Sequence, residues 1–471
     1  MQTLVAILYF FSLSGLIFFG LHRLKISWGY LSWKRKGKVL PRRADRVRGA
    51  SICIQCPIYN EPAMIAGLLE AVTLIEWDEG NLEIQILDDS TDETSSIVEK
   101  WLQAHPERSG NCHHIRRENR NGYKAGALAI GTAQSKSDFF AIFDVDFRPN
   151  KDFLNKMMPL FVHDRIGLVQ ARWGFENRSN GFLTRVQSLF LDAHFIVEQT
   201  ARFAGGLFFN FNGTAGIWRR VTLEDAGGWT ADSVTEDLDL SYRAQLKGWD
   251  FVYDTDVVVL SELPESIVAF KSQQRRWTKG GIQVMRKLLF QVLSSEFSGK
   301  IKREAFFHLT VGFVHFFLVL FSVTLVPYLF FFGVVPEGAF AVAHPLVVLF
   351  AGGSTVTFYI MGQFFRSGRW RDVVLWLLLA PLVLSFGLAM SLTCLGAVIE
   401  GLFSSGGEFV RTPKGKGKRN LSSLFQGGVA QPVFVVLALF ESFLGFVLIG
   451  AACYYATLEL FPIALMLAIK D

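Results

Sequence analysis

Residues 50–89, ASICIQCPIYNEPAMIAGLLEAVTLIEWDEGNLEIQILDD, pass from a short apolar run through a helical pattern into a second short apolar run. Both short runs are rich in Ile and are bounded by Pro, Asn, Gly or Asp, as buried strands are, while residues 62–77 repeat apolar positions at helical spacing. A strand, a helix and a strand in that order predict a βαβ unit, and hence a parallel sheet. The alternation continues through SSIVEKWLQAH (95–105), CHHIRRE (112–118), YKAGALAIGTAQ (123–134) and DFFAIFDVD (138–146). The reading is an α/β domain with a doubly wound, mostly parallel sheet.

In such a sheet, ligands bind beyond the carboxyl ends of the strands. The polar residues fall there: Asn60 and Glu61 after the first strand, Asp88 and Asp89 after the second, Asp144 and Asp146 after a fourth. Each cluster has an ordinary structural reading. Ser90 stands three residues before Glu93, which fits a capping box, and Asp144-Val145-Asp146 fits a solvated turn. Thr235-Glu236-Asp237 fits a helix start, with Thr as N-cap and acids at the positive end of the dipole. Coincidence at one sheet edge is the harder account. Two carboxylates around one residue suit Mg²⁺ or Mn²⁺, hard cations usually held by one or two carboxylates together with substrate phosphates. Lys124, between Gly122 and Gly126 at the entry to a helix, supplies positive charge for the same phosphates. A Walker-type loop is absent, so nothing here points to a P-loop ATPase.

The chain has 471 residues, 51% of them hydrophobic, with a mean hydropathy of +0.31, and the apolar excess is unevenly placed. Residues 3–21 and runs near 305–333, 343–362, 373–402 and 433–468 approach the length of a bilayer crossing. The plan is therefore an N-terminal transmembrane anchor (1–22), a basic cytosolic linker (23–48), a catalytic domain (49–300) ending in an interfacial helix near 265–300, and a membrane block (301–471). Arg23, Lys25, Lys34, Arg35, Lys36 and Lys38 follow the first run, so its carboxyl side is expected in the cytoplasm. Crossing counts would put RTPKGKGKR (411–419) outside if 373–402 crossed. That stretch, interrupted by Pro381, is therefore expected to lie at the interface or to re-enter, and 433–468 to cross twice. The net charge of +5 belongs to such membrane flanks and lipid contacts, and no nucleic-acid partner is expected. Among the five cysteines, Cys53 and Cys56 have CxxC spacing but sit in an apolar strand, so core packing is the reading. His113-His114, adjacent on a strand, point to opposite faces and make a poor metal pair.

The motifs PIYNE (57–61), QILDDSTD (85–92), NRNGYKAGAL (119–128), FDVDF (143–147), LVQARW (168–173), FNGTAG (211–216), TED (235–237) and QQRRW (273–277) follow one another in this order. Together they resemble the family 2 membrane glycosyltransferases, in particular the plant cellulose-synthase-like A and C groups and bacterial relatives. The resemblance implies a GT-A fold inserted between an N-terminal transmembrane helix and a C-terminal transmembrane bundle, and a sugar-nucleotide donor, UDP-glucose or GDP-mannose. It implies that Tyr59, Glu61, Asp88, Asp89, Lys124, Asp144, Gln273 and Arg276 bind the donor, and that Asp144 and Asp146 hold the metal. It further implies that Asn212, Gly213, Glu236 and Trp277 meet the acceptor, and that Asp237 is the general base. FVRTPKG (409–415) is similar to a cytosolic gating motif, within a loop at 403–430, but carries Arg411 and Pro413 where the family pattern differs. The implied function is a processive inverting synthase that extends a β-linked polysaccharide and passes it across the membrane. The alternative is a glycolipid synthase with a lipid acceptor.

Overall fold

The computed structural model describes residues 1–37, 40–43, 45, 47–333 and 340–407. The gating-like motif at 409–415 and the run at 433–468 lie outside the described residues. In chain order the main elements are α1 (Gln2–Arg35), β1 (Ile52–Ile58), α2 (Ile65–Val72), β2 (Leu82–Asp88), α3 (Thr94–Ala104), β3 (Cys112–Arg116), α4 (Tyr123–Gln134) and β4 (Phe139–Ile142). They continue with β5 (Ile166–Phe175), α5 (Phe182–Asp192), β6 (Gly216–Arg219), α6 (Glu236–Leu246), β7 (Asp250–Ser261), α7 (Ile267–Ser294), α8 (Gly299–Thr310), α9 (Val314–Phe332), α10 (Phe340–Ser367) and α11 (Trp370–Phe403).

The chain divides into two compact units, one built on Trp28–Thr310 with the segment from Ala397, the other on Met1–Ser27 with Val311–Gly396. The first unit holds a seven-stranded sheet in the order β3-β2-β1-β4-β6-β5-β7. β1, β2, β3 and β4 run parallel, as the βαβ pattern requires, while β6 runs antiparallel to both β4 and β5. The strand alternation sorts the core into two layers. Ile52, Ile54, Cys56 and Ile58 pack with Ile65, Leu68, Leu69 and Val72 of α2 on one face, and Cys53 packs with Leu128 of α4 on the other. Cys53 and Cys56 thus face opposite sides of the sheet, and burial pushes both thiols up. Leu68 is fully buried, so its truncation to Ala is expected to cost about 2–5 kcal/mol through lost transfer energy and a cavity.

The second unit packs Tyr9 and Leu13 of α1 against Leu325 and Tyr328 of α9, with the two tyrosine rings stacked at 4.1 Å. Among the described residues three helices are long and apolar enough to cross a membrane: Gln2–Arg35, Gly299–Phe332 and Val383–Phe403. α1 runs unbroken past the expected anchor to Arg35, carrying its basic residues on helical turns. α11 is continuous through Pro381, and its second half has the length and composition of a span. Pro327 is likewise carried inside α9. An apolar helix tolerates proline when neighbouring groups and local adjustment take up the freed carbonyl.

Candidate active site

The loop after β1 is pinned to the loop after β2. Asn60 takes a left-handed conformation (φ 52°), its backbone N–H donates to Ser90 Oγ at 3.0 Å, and its Oδ1 accepts from Thr91 N at 2.8 Å. Ser90 is thereby spent on Asn60, and the capping box expected with Glu93 does not form. Glu93 is itself the residue before α3 and makes no side-chain cap. Asp88 departs from its expected role at the donor. Only 1% exposed, its carboxylate accepts from Ser90 N (2.8 Å) and Ser95 Oγ (2.5 Å) and meets His114 Nε2 at 2.8 Å, so it is turned into the domain. Burial alone would raise its pKa. The bonds from His114, Ser95 and Ser90 outweigh that and hold it at about 2. The donors of this cradle come from three segments, which explains why position in the sequence placed Asp88 and Asp89 together.

Asp89 does reach the cavity, where Arg117 grips it through both Nε (2.7 Å) and an Nη. The same guanidinium donates to the carbonyls of Asn121 (2.8 Å) and Tyr123 (3.0 Å), clamping the turn that starts α4. That turn needs glycine: Gly122 has φ 72°, and a Cβ on Gly126 would sit 2.1 Å from the Asn121 carbonyl oxygen. The turn delivers Lys124, whose Nζ donates to Asp144 Oδ1 (2.5 Å) and to the Gly213 carbonyl (2.9 Å) and lies 4.0 Å from Glu236. Burial opposes the charge on Lys124. Asp144 and Glu236 override burial, and its pKa is raised.

Asp144 and Asp146 follow β4 as expected, and both line the cavity. Thr214 Oγ1 accepts from the Asp144 backbone N–H at 2.9 Å, and Ser261 Oγ donates to Asp146 Oδ2. Two carboxylates with oxygen donors only suit Mg²⁺ or Mn²⁺, and the residues present fit such an ion. Among the described residues no group of three or more His, Cys, Asp or Glu could hold a metal. Such ions commonly complete their coordination with water and a ligand's own oxygens.

α6 begins at Glu236, immediately after Thr235, but the threonine does not cap by its side chain. Its Oγ1 is buried without a partner among the described residues, packed where a Cβ on Gly280 of α7 would come within 2.4 Å of its methyl. The dipole argument survives, since Glu236, Asp237 and Asp239 fill the first turn. Asp237 stands at the cavity with Oδ1 accepting from Leu238 N at 2.8 Å. Burial and the neighbouring Glu236 carboxylate push its pKa up to about 7, against the pull of Lys124. α7 contributes Gln273, Arg276 and Trp277, one helical turn apart, to the same wall. Burial lowers the pKa of Arg276, although Glu236, Asp237 and Asp144 act against it.

The cavity occupies about 1050 Å³ including its open mouth. Tyr59, Glu61, Asp89, Lys124, Asp144, Asp146, Asn212, Gly213, Glu236, Asp237, Gln273, Arg276 and Trp277 all line it, and Asp88 does not. Sequence reasoning passed over Arg117, Arg120 and Trp173. The guanidinium of Arg120 lies 3.3 Å over the Tyr59 ring, and Trp173 closes the cavity beside Phe147. Their signal was present, as basic residues just past β3 and an aromatic residue near the end of β5. Of the non-glycine residues with positive φ among those described, Asn60 and Ala215 sit on loops at this sheet edge and Tyr123 is the first residue of α4. Strain of that kind is retained where the surroundings fix a functional geometry.

A sheet of this order, with a lysine and two carboxylate clusters at its carboxyl edge, defines a GT-A glycosyltransferase catalytic domain. Residues 52–224 match the model of glycosyl transferase family 2, and residues 139–403 match that of glycosyl transferase family group 2. The chain belongs to glycosyl transferase family group 2. It is 38% identical over 364 residues to glucomannan 4-beta-mannosyltransferase 7 of Arabidopsis thaliana, covering 75% of this chain and 63% of that protein. It is 41% identical over 278 residues to glucomannan 4-beta-mannosyltransferase 2 of the same plant, covering 56% and 52%. To probable glucomannan 4-beta-mannosyltransferase 4 of Oryza sativa subsp. japonica it is 42% identical over 250 residues, covering 52% and 46%. The matches thus span about half to just under two thirds of these relatives' length. Among solved structures, the mannosyltransferase PcManGT from Pyrobaculum calidifontis, in complex with GDP-Man and Mn²⁺, superposes with a TM-score of 0.55 at 18% identity. The match covers 86% of this chain and 99% of that one, a likeness of fold.

Proposed function

We propose that this membrane protein transfers a mannosyl unit from a nucleoside diphosphate sugar, GDP-mannose, to a hydroxyl of a growing β-linked glycan, with inversion at the anomeric carbon. The observation that carries the reading is the placement of Lys124 between Asp144 and the Glu236–Asp237 pair, an ammonium among three carboxylates around one cavity. The names of the relatives, 4-beta-mannosyltransferases at 38–42% identity, support mannose as the sugar.

In this reading Asp237 accepts the acceptor proton as the hydroxyl oxygen forms its bond to the anomeric carbon. A pKa near 7 suits that task, because the base is both ionised and strong enough near neutrality. The bond to the diphosphate breaks on the opposite side, and its electron pair leaves with the phosphate oxygen. Lys124 and Arg276 face the charge that develops there, in a site where burial strengthens each interaction. Asp144 and Asp146 would hold Mg²⁺ or Mn²⁺, which supplies further charge neutralisation to the leaving diphosphate when bound. Trp277 offers an apolar face to the pyranose ring of the acceptor.

The polymer is retained and extended on this reading, and the catalytic unit lies on the cytoplasmic side, as the basic residues after the apolar part of α1 suggest. The test is incorporation of labelled sugar by the 471-residue chain in lipid nanodiscs, with GDP-mannose and UDP-glucose in separate reactions containing Mg²⁺ or Mn²⁺. Insoluble polymer from GDP-mannose is expected. Polymer from UDP-glucose alone would overturn the donor, and label confined to the lipid extract would overturn the acceptor.

A further inference from the structure

Asn212 lines the cavity beside Gly213 and is 8% exposed, and its amide is held on one side only. Oδ1 accepts from Gln199 Nε2 at 2.8 Å and from Asn210 Nδ2 at 3.1 Å, which occupies both of its lone pairs. Nδ2 is buried without a partner among the described residues. An unsatisfied buried donor is costly, so one that persists at a cavity wall points to a ligand acceptor. Gln199 has no exposure to solvent, and it follows a π-helical turn, Ala193–Glu198. Such turns are rare and concentrate at functional sites. This one is braced: His194 Nδ1 meets Glu198 Oε2 at 3.0 Å, and Arg202 donates through Nε to Glu198 Oε1 at 3.0 Å.

Resting on the proposed glycan acceptor, we infer that Gln199 is a positioning residue for that acceptor. By donating to Asn212 Oδ1 it fixes the amide so that Nδ2 donates to a hydroxyl or ring oxygen of the terminal sugar. Gln199 itself touches no substrate. The bond from Asn212 N–H to Gln170 Oε1 (3.1 Å) anchors the backbone, so the side-chain orientation is what remains to be fixed, by Gln199 with the longer bond from Asn210 beside it. The reacting hydroxyl is served by Asp237, and the bond from Asn212 holds the same sugar from the side of β6.

The test uses the full chain in nanodiscs with GDP-mannose, soluble β-mannooligosaccharides of varied concentration, and calorimetric binding of GDP. Gln199→Leu removes the donor, and Gln199→Glu replaces it with an acceptor that attracts Nδ2 away from the cavity. Gln199→Leu is expected to raise the oligosaccharide KM about tenfold, the equivalent of one hydrogen bond of about 1.4 kcal/mol, and Gln199→Glu to raise it further. The GDP Kd should stay within twofold of wild type in both. A merely structural role would instead lower GDP affinity and kcat together, or would be satisfied equally by leucine and glutamate. Oligosaccharide KM values equal to wild type in both variants would overturn the assignment while leaving the glycan acceptor standing. A wild-type chain that binds GDP and hydrolyses the donor but extends no oligosaccharide would overturn the acceptor reading, and this assignment with it.

Discussion

A Cβ on Gly213 would lie 3.0 Å from Asp237 Oδ2, so the glycine leaves room for the carboxylate at the cavity wall. Gly213 also has φ 83°, a conformation that costs an ordinary residue about 1–2 kcal/mol. Gly213→Ala is therefore expected to fold with a modest loss of melting temperature but to displace Asp237. A misplacement of about 1 Å costs on the order of a hundredfold in rate. Initial rates and thermal melts of the purified variant check this. Near-normal turnover would show that the contact does not set the base.

Asp237→Asn removes the proposed base and is expected to lower turnover about 10²–10⁴-fold. In the wild type, kcat/KM should rise with pH along an acid limb centred near 7, where Asp237 ionises. Stability moves the other way. The folded state holds the proton to about pH 7, whereas an unfolded Asp releases it near 3.8, so between those values the folded state binds more protons and raising the pH destabilises it. The asparagine variant should therefore melt above wild type at pH 8, with the gap closing toward pH 4. A gap that widens on acidification would contradict the assigned direction.

Asp88 and Asp89 are adjacent in sequence and opposite in role. Asp88→Ala leaves His114, Ser95 and Ser90 facing an empty centre, and breaking such a buried cluster is expected to cost about 3 kcal/mol. With its pKa held at about 2, the Asp88 carboxylate stabilises the fold fully above its ordinary value near 3.8, and that contribution disappears as the pH falls through 2. Asp89→Ala strands the buried Arg117 guanidinium and loosens the entry to α4, so it should lower the melting temperature too, but unlike Asp88→Ala it should also weaken GDP binding. Paired melting and calorimetry separate the two. Equal loss of donor binding at similar stability would refute the division.

The division also marks what a linear reading can reach. The βαβ rhythm and the edge at which Asp144 and Asp146 fall follow from periodicity, whereas the gathering of TED and QQRRW at one wall is implied only by the family resemblance. Which of two neighbouring aspartates lines the cavity follows from neither, because it is settled by His114 and Ser95, residues that arrive from other segments. The same holds for Thr235, whose hydroxyl is closed off by the approach of Gly280 and not used as a cap. The antiparallel β6 has four residues and too little pattern to announce its direction. α11 runs through Pro381 because the backbone of an apolar helix adjusts around one proline, a tolerance that composition does not reveal.

Lys124 tests the electrostatics of the whole site. Its ammonium sits among Asp144, Glu236 and Asp237, and it lowers the Asp237 pKa that burial and Glu236 raise. Lys124→Gln keeps a donor of similar reach and removes the charge. Asp237 then faces Glu236 with less compensation, so the acid limb of kcat/KM should move to higher pH than in wild type. GDP binding should weaken as well, since a cation facing the diphosphate is gone. Lys124→Arg keeps the charge but brings a planar fork into a space shaped for a point charge, and should hold the limb near its wild-type position while lowering kcat. Measured together, the two variants separate charge from shape. An acid limb that stays near 7 in Lys124→Gln would mean that Lys124 does not set the protonation of Asp237.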